Sequence, residues 1–352
     1  MATNNKETKA SSNRKKANFS DIARLAGVSE STVNRVLNEI GSVSESSRRR
    51  VVNAAKQLDV KRILPDVEHQ LIHIDVLISH VSTPIVKRYL EEINRILHFI
   101  DKRVRIHRIS LPDAEEKVID ALIHSRHKRN AIIVVARDTP LIRSHLNAMI
   151  DQGTVVITLM SEFPELTTSL YSGIDNYQAG KTAGWFIQRL SPRPGRVLKL
   201  LCNKHFGTHS ERSDGFSQQM LTASSFEEVE IITDNSSQAC YEIVVNELKK
   251  GELVGIYNSG DGSDGILKAL KEFDRVSSVT WVGHEMYDCH ISCLKEGAMD
   301  LIIDQDPDTQ IITAIRHALN GCGLGDISPN SGPVEFRLFC PTNHHSRPYL
   351  RS

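Results

Sequence analysis

The chain has no apolar run long enough to cross a bilayer and no charged-then-apolar leader near its start. A membrane-spanning segment and export are therefore not expected. Cysteine is sparse, and the six present (202, 240, 289, 293, 322, 340) form no C-x-x-C pair and no tight framework. That pattern predicts reduced, mostly buried thiols in a cytoplasmic protein rather than a disulfide scaffold. No G-x-S-x-G or Walker A pattern occurs, so nucleophile-elbow hydrolysis and P-loop phosphoryl transfer have no signature here. Net charge is also missing: Lys plus Arg and Asp plus Glu are both 43 in 352 residues. The zero hides an asymmetry, because residues 1–62 hold 13 basic against 6 acidic residues and the remainder holds 30 against 37. A basic head on an acidic body suits a DNA-binding module joined to something that should not bind DNA.

Within the basic part, Phe19 to Asn38 reads as a helix, a Gly-centred turn and a second helix. Ser20 is expected to cap the first helix, with Ile22, Ala23, Leu25 and Ala26 as its inner side. Gly27 falls where the turn needs a left-handed backbone or a close helix approach. Ser29 caps the second helix, on which Val33, Val36 and Leu37 make one apolar stripe. Glu30, Ser31, Thr32, Asn34 and Arg35 stay outside, and such short or planar hydrogen-bonding groups near a helix N-terminus are what base edges and phosphates require. A third helix starts at the cap Ser44, turns Val51, Val52, Ala55 and Leu58 inward, and carries Arg48, Arg49 and Arg50 outside. Residues 1–18, polar and without apolar periodicity, read as a disordered arm whose Lys15 and Lys16 either touch phosphates or belong to a merely solvated tail.

The segments Asp21-Ile22-Ala23, Ala26-Gly27-Val28-Ser29, Thr32-Val33, Arg35-Val36-Leu37-Asn38 and Val43-Ser44 closely resemble the DNA-binding head of the LacI/GalR family of bacterial repressors. The resemblance places base reading on Glu30, Ser31 and Arg35, and phosphate or flanking contacts on Thr32 and Asn34, with Ser29, Ser44 and Arg48 completing the expected DNA-binding set.

Past residue 73 the pattern changes to alternating strands and helices. Strands are expected at His73–Ile78, Val104–Ile109, Ala131–Val135, Val155–Leu159, Val197–Leu201, Val229–Ile232, Leu253–Tyr257 and Val279–Val282. Helices are expected from Pro84 to about Ile100 and from Asp113 to His124. Near-continuous apolar strands imply parallel sheets covered on both faces. The expected fold class is an all-α helix-turn-helix head on an α/β sensor of two doubly wound parallel-sheet lobes. This body resembles the periplasmic sugar-binding fold that the same family uses as its sensor. Its markers are Val156–Leu159, Asp175-Asn176 before a helix with Gly180 and Gly184, Glu211–Phe216, Val282–Glu285 and Asp304–Pro307. The expected organisation is an arm at 1–18, a head at 19–62, a linker at 63–72 and a body at 73–352. Crossings near residues 174, 305 and 333 would divide the body into lobe 1 (73–173 and 306–332) and lobe 2 (174–304 and 333–352).

Ligands of such sheets bind beyond the carboxyl ends of the strands. The resemblance implies an effector pocket of Arg212, Asn176, Glu285, Gln305 and Asn258 or Asp261, with Met160 where relatives begin an Asp-Arg pair. A guanidinium, two carboxylates and amides suit sugar hydroxyls. Met160-Ser161 and Ser82-Thr83-Pro84-Ile85 replace residues that supply charge and stacking in sugar-binding relatives. The expected effector is accordingly a polyol, a sugar derivative or another small metabolite. Glu285 and Asn258 have helix capping as their plain alternative role. The family's hinge signature is absent from Val60–His69, so minor-groove insertion is not expected by default.

Gly260-Asp261-Gly262-Ser263-Asp264-Gly265 matches G-x-G-x-x-G after a strand, which makes an NAD-dependent oxidoreductase the rival reading. Two aspartates in that loop would repel a pyrophosphate. His284, Cys289, His290 and Cys293 lack metal-site spacing, and His344-His345 read as solvated. No metal, cofactor or enzymatic activity is expected. The sequence predicts a cytoplasmic, nucleoid-associated regulator that binds a pseudopalindromic operator as a homodimer or tetramer. By default it is a repressor released by an inducer that changes the separation of the heads; an activator or a corepressor-dependent regulator is the alternative within the class.

Overall fold

The computed structural model describes residues 18–38, 40, 43–58, 60, 71–79, 84–167, 169–202, 207–234, 236–324 and 332–344. The arm before Asn18, the linker at 61–70, and Ser82 and Thr83 lie outside them. The chain forms two compact units, 1–71 and 72–352.

In the head, α1 (Phe19–Ala26), α2 (Glu30–Leu37) and α3 (Glu45–Gln57) enclose Ile22, Ala23, Ala26, Val33, Val36, Leu37, Val51, Val52, Ala54 and Ala55. Two expectations need correction. The cap of α1 is Asn18, not Ser20: Asn18 Oδ1 accepts from the Asp21 amide at 2.9 Å, and the Asp21 carboxylate accepts from the Asn18 amide at 3.1 Å. This reciprocal capping box satisfies two otherwise unbonded donors. Leu25 is 50% exposed, because at 3.6 residues per turn it falls outside the stripe set by Ile22, Ala23 and Ala26. Gly27 closes α1 with φ 63°. Asn18→Ala should cost about 1 kcal/mol of head stability, read as a lower melting temperature of the head.

The body holds two sheets with the same strand order. Sheet A runs β2 (Val104–Leu111), β1 (Ile72–Ser79), β3 (Ala131–Val135), β4 (Val155–Leu159), β5 (Leu170–Ser172), all parallel. Sheet B runs β7 (Glu227–Thr233), β6 (Arg196–Cys202), β8 (Leu253–Asn258), β9 (Thr280–His284), β10 (Leu301–Asp304), and adds β11 (Arg337–Phe339) antiparallel at its edge. The short strands β5, β10 and β11 were not expected from the sequence. The helix α4 ends at Ile96, and α5 covers Glu115–Ile123.

Alternation along β1 divides lobe 1. Ile72, Ile74, Val76 and Ile78 pack under α4 (Pro84–Ile96) and α12 (Pro307–Gly321), while Leu77 packs on the other face with α5 and α6 (Pro140–Asp151). In lobe 2, α7 (Asn176–Leu190) and α8 (Gly207–Met220) cover one face. The other face is covered by α9 (Ser237–Lys249), α10 (Ser263–Glu272) and α11 (Asp288–Lys295). The chain leaves sheet A after β5, returns to lobe 1 after β10, and rejoins sheet B at β11. The first and third crossings are tied by the Val334 amide donating to the Gly173 carbonyl at 2.7 Å. The second is fixed by Asp306 at φ 53°, which caps α12 and pairs with Arg337 at 2.8 Å.

Candidate effector cleft and DNA-reading helix

In each lobe the strand order reverses between the first and third strands, and ligands of such sheets bind beyond the carboxyl ends of the strands around the switch point. Met160 (φ 71°) follows β4 and Glu285 (φ 72°) follows β9. These are the equivalent strands of the two sheets, so one strained corner is built twice. Left-handed non-glycine residues cost about 1–3 kcal/mol each and collect at functional positions. Lobe 2 places a carboxylate at its corner. Lobe 1 places a methionine that leans on its own apolar core.

Four of the sequence-predicted residues meet in one buried line. Arg212, on α8, donates from Nε to Asn176 Oδ1 at 2.8 Å, and its Nη2 lies 4.0 Å from Glu285 Oε1. Gln305 Nε2 donates to that same Oε1 at 2.6 Å. Gln310 Nε2 donates to the Gln305 carbonyl at 2.7 Å, and the Tyr89 hydroxyl donates to Gln310 Oε1 at 2.5 Å. The line thus runs from lobe 2 through the second crossing into lobe 1. Arg88 crosses beside it, gripping Asp304 with two bonds of 2.5 and 3.2 Å and reaching Asp308 at 3.4 Å. Sequence reasoning missed Arg88, Tyr89 and Gln310, whose partners lie more than 200 residues away or wholly inside the core.

Glu285 is 4% exposed, and its Oε2 has no hydrogen-bond partner among the described residues. Burial, reinforced by the nearby Asp304 carboxylate and opposed by Arg212 and Arg88, pushes its carboxyl up to about 8. A buried carboxyl oxygen without a partner is where a ligand hydroxyl gains most. The folded protein holds this proton more tightly than the unfolded chain, whose ordinary value is 4.5. Stability should therefore fall as pH rises from about 4.5 towards about 8 and level off above. Glu285→Gln should flatten that part of the stability profile, measured by melting across pH.

The other predicted effector residues sit differently. Asn258 is fully buried and serves its own loop: its amide nitrogen donates to the Asp261 carbonyl (3.2 Å) and Ser263 Oγ (3.1 Å), and its oxygen accepts from the Gly260 amide at 3.2 Å. Burial raises the Asp261 carboxyl, with His290 opposing. In the G-x-G-x-x-G loop, Gly262 adopts φ 85°, and a Cβ on Gly265 would lie 1.8 Å from the Ser237 carbonyl oxygen. The turn thus requires Gly262 and the α9–α10 packing requires Gly265, without a phosphate. His290 bonds Ser263 Oγ (2.6 Å) and the Glu285 carbonyl (2.7 Å), while His284 bonds the Tyr257 hydroxyl at 2.7 Å. These bonds hold His284 and His290 in separate roles. Cys293 lies in the core and Cys289 is half-buried, both free thiols.

On the head, Glu30, Ser31, Asn34 and Arg35 are exposed along α2. The Ser29 hydroxyl accepts from the Thr32 amide at 3.3 Å and contacts the hydroxyls of Ser31 (2.8 Å) and Thr32 (2.9 Å). Ser44 likewise caps α3, accepting from the Ser47 amide. Their first task is to hold the helix starts; Arg48, on the first turn of α3, is half-buried. Asn34 Oδ1 is bonded by the Asn38 amide.

Comparison with known proteins agrees with both units. Residues 18–61 match the bacterial regulatory proteins of the lacI family, and residues 110–321 match the periplasmic binding protein domain. The HTH-type transcriptional regulator GalR of Salmonella typhimurium is 26% identical over 195 residues, 54% of this chain and 54% of that protein. The chain thus spans about half the length of the regulators it matches first. The sucrose operon repressor of Pediococcus pentosaceus is 33% identical over 87 residues, covering 23% of this chain and 26% of that one. An ABC transporter solute-binding protein from Burkholderia graminis, solved with D-arabinose, superposes with a TM-score of 0.70 at 19% identity. It covers 79% of this chain and 98% of its own, a likeness of fold. No helix among the described residues is long and apolar enough to cross a membrane. The chain belongs to the periplasmic binding protein domain family and carries the helix-turn-helix head of the lacI-family bacterial regulatory proteins.

Proposed function

We propose that this protein is a ligand-responsive transcriptional regulator, a repressor of a sugar or polyol utilisation operon. The observation that carries the reading is the pairing, in one chain, of a helix presenting Glu30, Ser31 and Arg35 with a sensor whose cleft leaves the buried Glu285 Oε2 without a partner among the described residues. The first is built to read base edges, the second to take a hydroxyl. The names GalR and sucrose operon repressor support the same class. The effector is polyhydroxylated and small, held by Arg212, Asn176, Glu285 and Gln305, with Met160 closing the lobe 1 side. Effector binding favours one arrangement of the two lobes and thereby changes operator affinity. The working form is a homodimer on a pseudopalindromic operator, one head per half-site, on nucleoid DNA in the cytoplasm.

Selection of bound duplexes from a random library tests this. The expected outcome is a two-fold symmetric consensus bound far more tightly than bulk DNA. Binding without sequence preference, or no binding, would remove the reading. Arg35→Ala should cost about 1–3 kcal/mol of specific binding and relax preference at one position of each half-site. A uniform loss over all sequences would make Arg35 a phosphate contact.

A further inference from the structure

At the opposite end of sheet A from the cleft, three histidines converge from separate parts of the chain. His73 is on β1, His107 on β2 and His127 on the loop between α5 and β3. His73 Nδ1 and His107 Nε2 face each other at 2.9 Å. The His127 ring lies over both, its centroid 3.9 Å from that of His107 and 4.6 Å from that of His73. One ring nitrogen from each lies within 4.8 Å of the other two, and all three residues are half-buried.

Packing alone gives a poor reason for this cluster. The position faces the α5–α6 side of the sheet, where Asp75 and Arg105 are the register neighbours of His107 and His73, and the apolar side chains Leu77 and Ile109 begin one pair further along. Burial, the neighbouring imidazoles and Arg105 all keep His73 and His107 below the ordinary histidine range.

We propose that His73, His107 and His127 bind a divalent transition-metal ion of the imidazole-preferring class, such as Zn²⁺, Ni²⁺ or Cu²⁺. Three imidazoles with a fourth, open position is a recurrent coordination set for such ions. The surroundings supply the outer sphere that this chemistry uses. Asp75, 1% exposed as a side chain, accepts from His127 Nε2 at 2.7 Å, which leaves Nδ1 as the ligand atom. A carboxylate behind a ligating imidazole fixes its tautomer and raises its basicity. Asp75 is in turn held by Arg129 Nε at 2.5 Å, and Arg129 also donates to the carbonyls of Ala121 and Leu122 at the end of α5. A tetrahedral ion with bonds of about 2.0–2.1 Å needs nitrogens about 3.3 Å apart. The His73–His107 pair is already near that spacing, and His127, on its loop, turns in to close the rest. The site lies beside the start of β1, two residues after the head unit ends at Leu71.

The test is calorimetric titration of the full chain, stripped with EDTA, with ZnCl₂ at pH 7.5, with Co²⁺ as a spectroscopic probe. The expected result is one saturable site per chain of micromolar affinity or better, and visible ligand-field absorption from nitrogen-bound Co²⁺. His73→Asn and His107→Asn should each weaken binding about tenfold or more, while His124→Asn, on the same loop but exposed, leaves it unchanged. Should either core variant fail to fold, the wild-type Co²⁺ spectrum decides. No saturable site, no ligand-field band, or equal affinity in folded His107→Asn would overturn the proposal and leave the cluster as stacked imidazoles only.

Discussion

Arg212→Ala is expected to abolish the response to effector while leaving effector-free operator binding within about threefold of the parent. Arg212 touches both Asn176 and the Glu285 carboxyl, and it is 3% exposed. Truncating one partner of a buried charged contact costs about 2–5 kcal/mol of binding, so effector affinity should fall by about thirtyfold or more. The fold should survive, because Glu285 already leans towards its neutral form and can keep its proton when the guanidinium is gone. Calorimetric titration with the best effector from a thermal-shift panel of sugars and polyols reads the first effect. Operator titration without effector reads the second. A variant that still responds would take Arg212 out of the pocket.

The second large effect is expected far from any ligand atom. Gly180→Ala should destabilise the body by about 3 kcal/mol, although alanine is the better helix former by about 1 kcal/mol. A Cβ at Gly180 would lie 2.0 Å from the Arg212 carbonyl oxygen, and one at Gly215 would lie 2.0 Å from that of Tyr177. The helices α7 and α8 therefore touch backbone to backbone. That contact is what sets Asn176, at the start of α7, against Arg212 on α8. Forcing the helices apart by an ångström misplaces both, so residual folded Gly180→Ala should also bind effector weakly. Gly332→Ala, where a Cβ meets open space, is the control and should melt like the parent. Equal melting temperatures for Gly180→Ala and the parent would show that the helices can part at no cost.

These two residues also show what could be read from the chain. Gly180 and Arg212 were visible in sequence because each belongs to a short local pattern. The head was legible for the same reason: one apolar stripe per helix, a capping serine and a turn glycine occupy about forty consecutive residues. Even there, the cap is Asn18 and not the expected Ser20, because of two reciprocal bonds with Asp21 that periodicity does not encode. The long apolar strands of both lobes were legible too. The strands β5, β10 and β11 were not, since three or four residues are too few to show a period. The least legible contacts are non-local. Arg88 looks like a surface residue of α4 until Asp304 arrives 216 positions later, and His73, His107 and His127 share no spacing rule. Asn258 illustrates the converse: a residue type that fits a sugar hydroxyl fits a loop amide equally well, and here its hydrogen bonds go to the loop.

The pH behaviour and the cleft chemistry have one origin. Glu285 is held in a strained backbone, buried, and given one partner too few. Such a group lowers the stability of the empty protein at neutral pH and repays a ligand that completes it.

The most direct test is the operator affinity of the full chain with and without saturating effector, at fixed salt. Relief of repression predicts a drop of at least tenfold in operator affinity on adding effector to the parent chain, with no change in Arg212→Ala. Identical operator affinity in the presence and absence of a sugar that demonstrably binds the cleft would contradict the coupling of sensor to head.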